Sequence, residues 1–102
     1  MNIAVIGDYD SSFYPVFLEI VKASRSEERV LDLSKHRSDN TNKYRNDRQN
    51  EINACHQVVI ASDWRQSIEA RKDITVSMTA NKEMFAYVNN QFIPWEIYCS
   101  NR

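Results

Sequence analysis

The chain has 102 residues, enough to bury one core and too few for two, so a single domain over residues 1–102 is expected. Its 42% hydrophobic and 26% charged content is that of an ordinary water-soluble globule, and no apolar run approaches the length that spans a bilayer. Lys and Arg total 13 against 14 Asp and Glu, which leaves no electrostatic case for nucleic acid or an anionic membrane as partner.

Asn2 to Ile6 is a short apolar run closed by the only glycine, Gly7, and reads as a central first strand ending in a turn. The same start lacks the basic residues, long apolar middle and cleavage site of a secretory signal, so a cytoplasmic location is expected. After the polar loop Gly7 to Ser12, Pro15 suits the first turn of a helix, and Phe13, Phe17, Ile20, Val21 and Ser24 repeat at helical spacing to about Ser26. Arg29 to Leu33 reads as a second strand and Ser34 to Asn42 as a polar connection. Basic residues gather between Lys35 and Arg48, but interleaved Asp39 and Asp47 mark a solvated loop and helix face.

Lys43 to His56 is a polar, largely exposed helix in which Tyr44, Ile52 and Cys55 share a narrow apolar face. Gln57 to Ala61 is the third strand, with Val58 to Ala61 a continuous apolar run as a strand covered on both faces requires. Ile74 to Thr79 supports two assignments. Its alternation and β-branched residues suit a strand, whereas a helix from Gln66 to Lys82 would bury Ala70, Ile74, Ser77 and Met78 and supply the crossover between parallel strands. Met84 to Val88 is a fourth strand, turning at Asn89-Asn90 into Gln91-Phe92-Ile93 and a short tail. The order predicts an α/β three-layer sandwich of flavodoxin-like or Rossmann-like type, with a four- to five-stranded, mainly parallel sheet and a carboxyl-terminal hairpin.

Ligands of such sheets bind beyond the carboxyl ends of the strands, where Asp8, Tyr9, Asp63, Trp64, Arg65 and Ser67 would gather. As a helix, the next segment stacks Glu69 and Asp73 four apart, away from the Ala70 and Ile74 stripe; two carboxylates whose pKa values are driven apart can serve as base and acid, or simply sit solvated. Ser67 is either an N-cap or, with Arg65 or Arg71, a phosphate anchor, and Trp64 either stacks on a ring or packs. Cys55 and Cys99 show no metal or disulfide spacing and are expected as free, partly buried thiols. His36 and His56 sit in no zinc pattern, so no metal site is expected.

The stretch from Asp63 to Asp73 resembles the nucleoside 2-deoxyribosyltransferase-like proteins, a small, largely uncharacterised family of phages and bacteria. The resemblance rests on a strand followed by Trp64, Ser67, the pair Ala70-Arg71 and Asp73, and extends more weakly from Tyr44 to Ala54 and from Lys82 to Phe85. It implies covalent N-glycosidic chemistry, with Asp73 at the position of a Glu nucleophile, Ser67 near the 5′ side of the sugar, and Asp8, Tyr9 and Asp63 near the sugar or base. Asp73 is one methylene shorter than that Glu, and Glu69 stands where relatives usually carry Gly. A nucleoside or nucleotide is thus the expected small-molecule partner, with no metal or organic cofactor, and a homodimer or larger assembly is implied. Two alternatives stay open: a non-catalytic nucleotide-binding module, and an interaction protein that uses an exposed Trp64, Trp95 and Tyr98 surface.

Overall fold

In the computed structural model, which describes residues 1–36 and 42–100, one five-stranded sheet forms the centre of the molecule. β1 (Asn2–Ile6) is an interior strand, flanked by β2 (Arg29–Asp32) at one edge and β3 (Gln57–Ile60) at the middle of the sheet; β4 (Glu83–Val88) follows β3, and β5 (Gln91–Pro94) closes the other edge. The first four strands are parallel and β5 is antiparallel to β4. Ala4 lies beside both Leu31 and Val58, which in turn faces Met84. Ile3 to Ile6 and Val58 to Ile60 are fully buried, as strands covered on both faces must be.

Helices α1 (Phe13–Ser24), α2 (Asn42–Ala54), α3 (Ile68–Thr79) and α4 (Trp95–Ser100) complete the α/β fold. α1 covers one face, where Phe17 meets the Tyr87 ring at 5.3 Å, while α2 and α3 pack on each other and on β1. The buried stripe of α1 is Tyr14, Phe17, Leu18 and Val21; of the other residues expected at helical spacing, Phe13 and Ile20 are half-buried and Ser24 is exposed. The helix stops at Ser24, where the Arg25 N–H closes on the Val21 carbonyl. α4 replaces the expected tail. Six residues are too few to display a helical period, and Trp95 docks them by lying edge-on to Trp64, 5.5 Å away. Residues 37–41 of the expected polar connection and the Tyr44 side chain lie outside the described residues.

The ambiguous segment after β3 is helical. Ser67 accepts a hydrogen bond from the Ala70 N–H and so caps α3. The hydroxyls of Thr75, Ser77 and Thr79 each donate to the carbonyl four residues back, which absorbs the polar side chains of a strand-like stretch. The helix buries Ala70, Asp73, Ile74 and Ser77, whereas Met78 is exposed. Asp73 therefore belongs to the inner stripe rather than beside it. Among the described residues, no helix is long and apolar enough to cross a membrane.

Candidate functional site

The chain leaves β1 for β2 on one side and enters the sheet again at β3 on the other, so the loops after β1 and β3 diverge and open a crevice at the carboxyl edge. Asp63 ties these two loops together. Its Oδ1 accepts the Asp8 N–H at 3.1 Å and its Oδ2 accepts the Ser11 hydroxyl at 2.8 Å. Gly7 allows the approach: a Cβ there would lie 2.9 Å from the Ala61 Cβ and 3.4 Å from Asp63 Oδ1. Asp8 shapes its own loop by accepting the Asp10 N–H.

From that loop Tyr9 turns inward and donates its hydroxyl to Asp73 Oδ2 at 2.7 Å. The other carboxylate oxygen, Oδ1, accepts from Arg48 Nε on α2 at 3.2 Å. Arg48 also reaches Glu69, with Nη1 3.6 Å from Oε2. The cluster thus places one guanidinium between two carboxylates four residues apart and a phenol on the inner one. Asp73 is 2% exposed and Arg48 6%, while the Glu69 side chain retains 31%. Asp73 also lines a cleft of about 280 Å³ between α2 and α3, together with Arg48, Gln49, Lys72, Thr75 and Val76.

Burial raises the Asp73 carboxyl above its ordinary range, and the nearby Glu69 charge adds to this, against the pull of Tyr9 and Arg48. Tyr9 is raised well above its usual value, first by burial and then by the Asp73 charge, so it remains a donor at neutral pH. A second phenol–carboxylate pair lies alongside. Tyr14, whose ring is edge-on to Tyr9 at 5.0 Å, donates to Asp32 Oδ1 at 2.7 Å, and that oxygen also accepts the Ser34 N–H and hydroxyl. The bonds from Tyr9 and Arg48 engage one carboxylate oxygen of Asp73 each.

Of the residues singled out from the sequence, Tyr9, Glu69 and Asp73 come together, and Asp8 and Asp63 meet at the adjoining loop pair. Ser67 is buried as the cap of α3. Trp64 donates its indole N–H to the Tyr98 hydroxyl at 3.2 Å, and Arg65 lies exposed over the Trp64 ring. Arg71 is exposed, two residues and hence more than half a helical turn away from Asp73. Of the expected exposed aromatic surface, Trp95 is 8% exposed and stacks on Tyr98 at 5.1 Å, because α4 folds back onto the loop after β3, while Trp64 and Tyr98 are half-buried. Cys55 is buried and Cys99 exposed, both as free thiols.

Arg48 is the residue that sequence reasoning missed. Its signal was its spacing, since Arg48, Ile52 and Cys55 fall on one helical face and all three are buried. Comparison with protein-family models, curated proteins and solved structures found no match for this chain.

Proposed function

We propose that this protein binds a nucleoside or nucleotide at the carboxyl edge of the sheet and acts on its N-glycosidic bond, with Asp73 as the attacking carboxylate. The observation that carries this reading is the Tyr9 to Asp73 hydrogen bond, which couples a buried carboxylate on α3 to the loop at the strand-order reversal. The resemblance of residues 63–73 to deoxyribosyltransferase-like proteins supplies the substrate class. In the reaction, an Asp73 oxygen forms a bond to the anomeric carbon as the bond from that carbon to the base nitrogen breaks. The departing base takes the bonding pair and a proton from water, which the partly exposed Glu69 is placed to orient. Water or a second base then displaces Asp73 and restores the free carboxylate. The resemblance also implies a homodimer.

One observation favours a second reading, a nucleotide-binding module without chemistry: both Asp73 oxygens are already engaged, and the side chain is almost wholly enclosed. A single experiment separates the two. The protein is incubated with deoxynucleosides and their 5′-monophosphates, and free base is measured by chromatography alongside the thermal midpoint. Base release that disappears in Asp73→Ala supports the enzyme. A raised midpoint without release supports the module, because a ligand of the native state stabilises it. Neither effect with any nucleoside or nucleotide sinks both.

A further inference from the structure

A second cleft opens at the same edge of the sheet but on the α1 side, away from α2 and α3. It has a volume of about 450 Å³ and lies between the start of α1, the loop after β3 and the β4–β5 turn. Phe13, Ile20, Ser62, Tyr87, Asn89 and Asn90 line it. That volume falls within the roughly 300–1,000 Å³ of small-molecule sites. From these residues we infer that the cleft binds a neutral, planar nitrogen heterocycle.

Two features define the ligand class. The first is a pair of held aromatic rings: Phe13 stacks on Phe17 at 5.8 Å, and Tyr87 is gripped between Phe17 at 5.3 Å and Phe92 at 5.1 Å. Rings fixed by their neighbours present stacking faces without the entropy cost of ordering them. The second is polarity without charge. Carboxamides carry donors and acceptors together, which matches the edge of a nitrogen heterocycle, and among the described residues the lining has no carboxylate, ammonium or guanidinium to recognise an ion. Asn89 and Asn90 are both left-handed, with φ of 51° and 64°, and Tyr87 donates its hydroxyl to Asn90 Oδ1 at 3.2 Å. The turn holds its two amides at the rim of the cleft. This inference does not depend on the carboxylate chemistry, because none of the lining residues belongs to the Arg48, Glu69 and Asp73 cluster.

The test uses isotope-labelled full-length protein titrated with adenine, cytosine or benzoate, followed through backbone and side-chain amide resonances. Adenine or cytosine is expected to shift the Asn89 and Asn90 side-chain signals saturably, and benzoate, a planar ring with a charge, to leave them in place. Asn90→Gly keeps the left-handed backbone while removing the amide, and Ser62→Leu fills the mouth of the cleft from an exposed position. Each is expected to weaken base binding at least tenfold, with Glu96→Gln, an exposed change on α4, having no effect. The inference is overturned if the bases shift only resonances elsewhere or none, if benzoate binds equally, or if Asn90→Gly binds as tightly as the parent.

Discussion

Tyr9 and Asp73 stand 64 positions apart in the chain and meet through one 2.7 Å hydrogen bond inside the protein. That contact joins the first strand's exit loop to the third helix, so it couples fold stability to the candidate chemistry. Tyr9→Phe keeps the ring and removes the donor, leaving a buried carboxylate one partner short. A loss of about 1–3 kcal/mol in urea unfolding is expected. A change under about 0.3 kcal/mol would mean that the bond contributes little in solution.

Arg48 is buried between Glu69 and Asp73, so replacing it with an apolar residue strands a charge. Arg48→Met is expected to cost about 3–5 kcal/mol, as breaking a buried ion pair from one side does. Removing the charge on both sides, in Arg48→Met with Asp73→Leu, is expected to recover much of that loss. A double variant less stable than the sum of the two single changes would refute the pairing.

The pH dependence of Asp73 has a definite sign. Its carboxyl is raised in the folded protein, chiefly by burial, so its contribution to stability is full below the ordinary carboxylate range and is lost as pH rises through the raised value. Asp73→Asn cannot titrate. The stability of the parent minus that of this variant should therefore fall as pH rises through and above the ordinary carboxylate range. A difference that grows with pH would show that Arg48 and Tyr9 outweigh desolvation.

Tyr9 and Tyr14 are both held protonated above the usual tyrosine range, first by burial and next by a carboxylate partner. Their contribution is present below about pH 10 and is lost only as pH climbs through the raised folded values. In an alkaline absorbance titration, Tyr14→Phe should leave the native tyrosinate step unchanged and shrink the step that accompanies unfolding. A smaller native step would show that Tyr14 ionises without unfolding.

Gly7→Ala places a Cβ 2.9 Å from the Ala61 Cβ, at two strand ends with little room to move. A destabilisation of about 1–3 kcal/mol is expected, with loosening of the Asp63 clamp on Asp8 and Ser11. Ala61→Gly in the same chain should restore most of it, and a failure to do so would place the strain elsewhere.

Local pattern carried a good part of this structure. The apolar run before Gly7, the run from Val58 to Ile60 and the Asn89-Asn90 turn each declare themselves within a few residues, because burial on both faces and left-handed turns restrict residue choice locally. The β-branched stretch from Ile74 to Thr79 was less plain, since propensity favoured a strand while the buried stripe and the crossover between parallel strands favoured a helix; it is helix, held by the Ser67 cap and the hydroxyl bonds to carbonyls one turn back. Six-residue α4 left no period to read and depends on Trp64 for its place.

The amino-acid sequence alone determined the alternation of strands and helices, the parallel sheet that follows from it, and the concentration of polar residues at the ends of the first and third strands. Tertiary structure decided which of those residues share a site. It brought Arg48 from 25 positions away to Asp73, made Ser67 a cap and drew Trp64 into an aromatic seam. The reason is physical: backbone preference and hydrophobic period act over a few residues, whereas a buried carboxylate is tolerated only where distant chain segments deliver its hydrogen-bond donors.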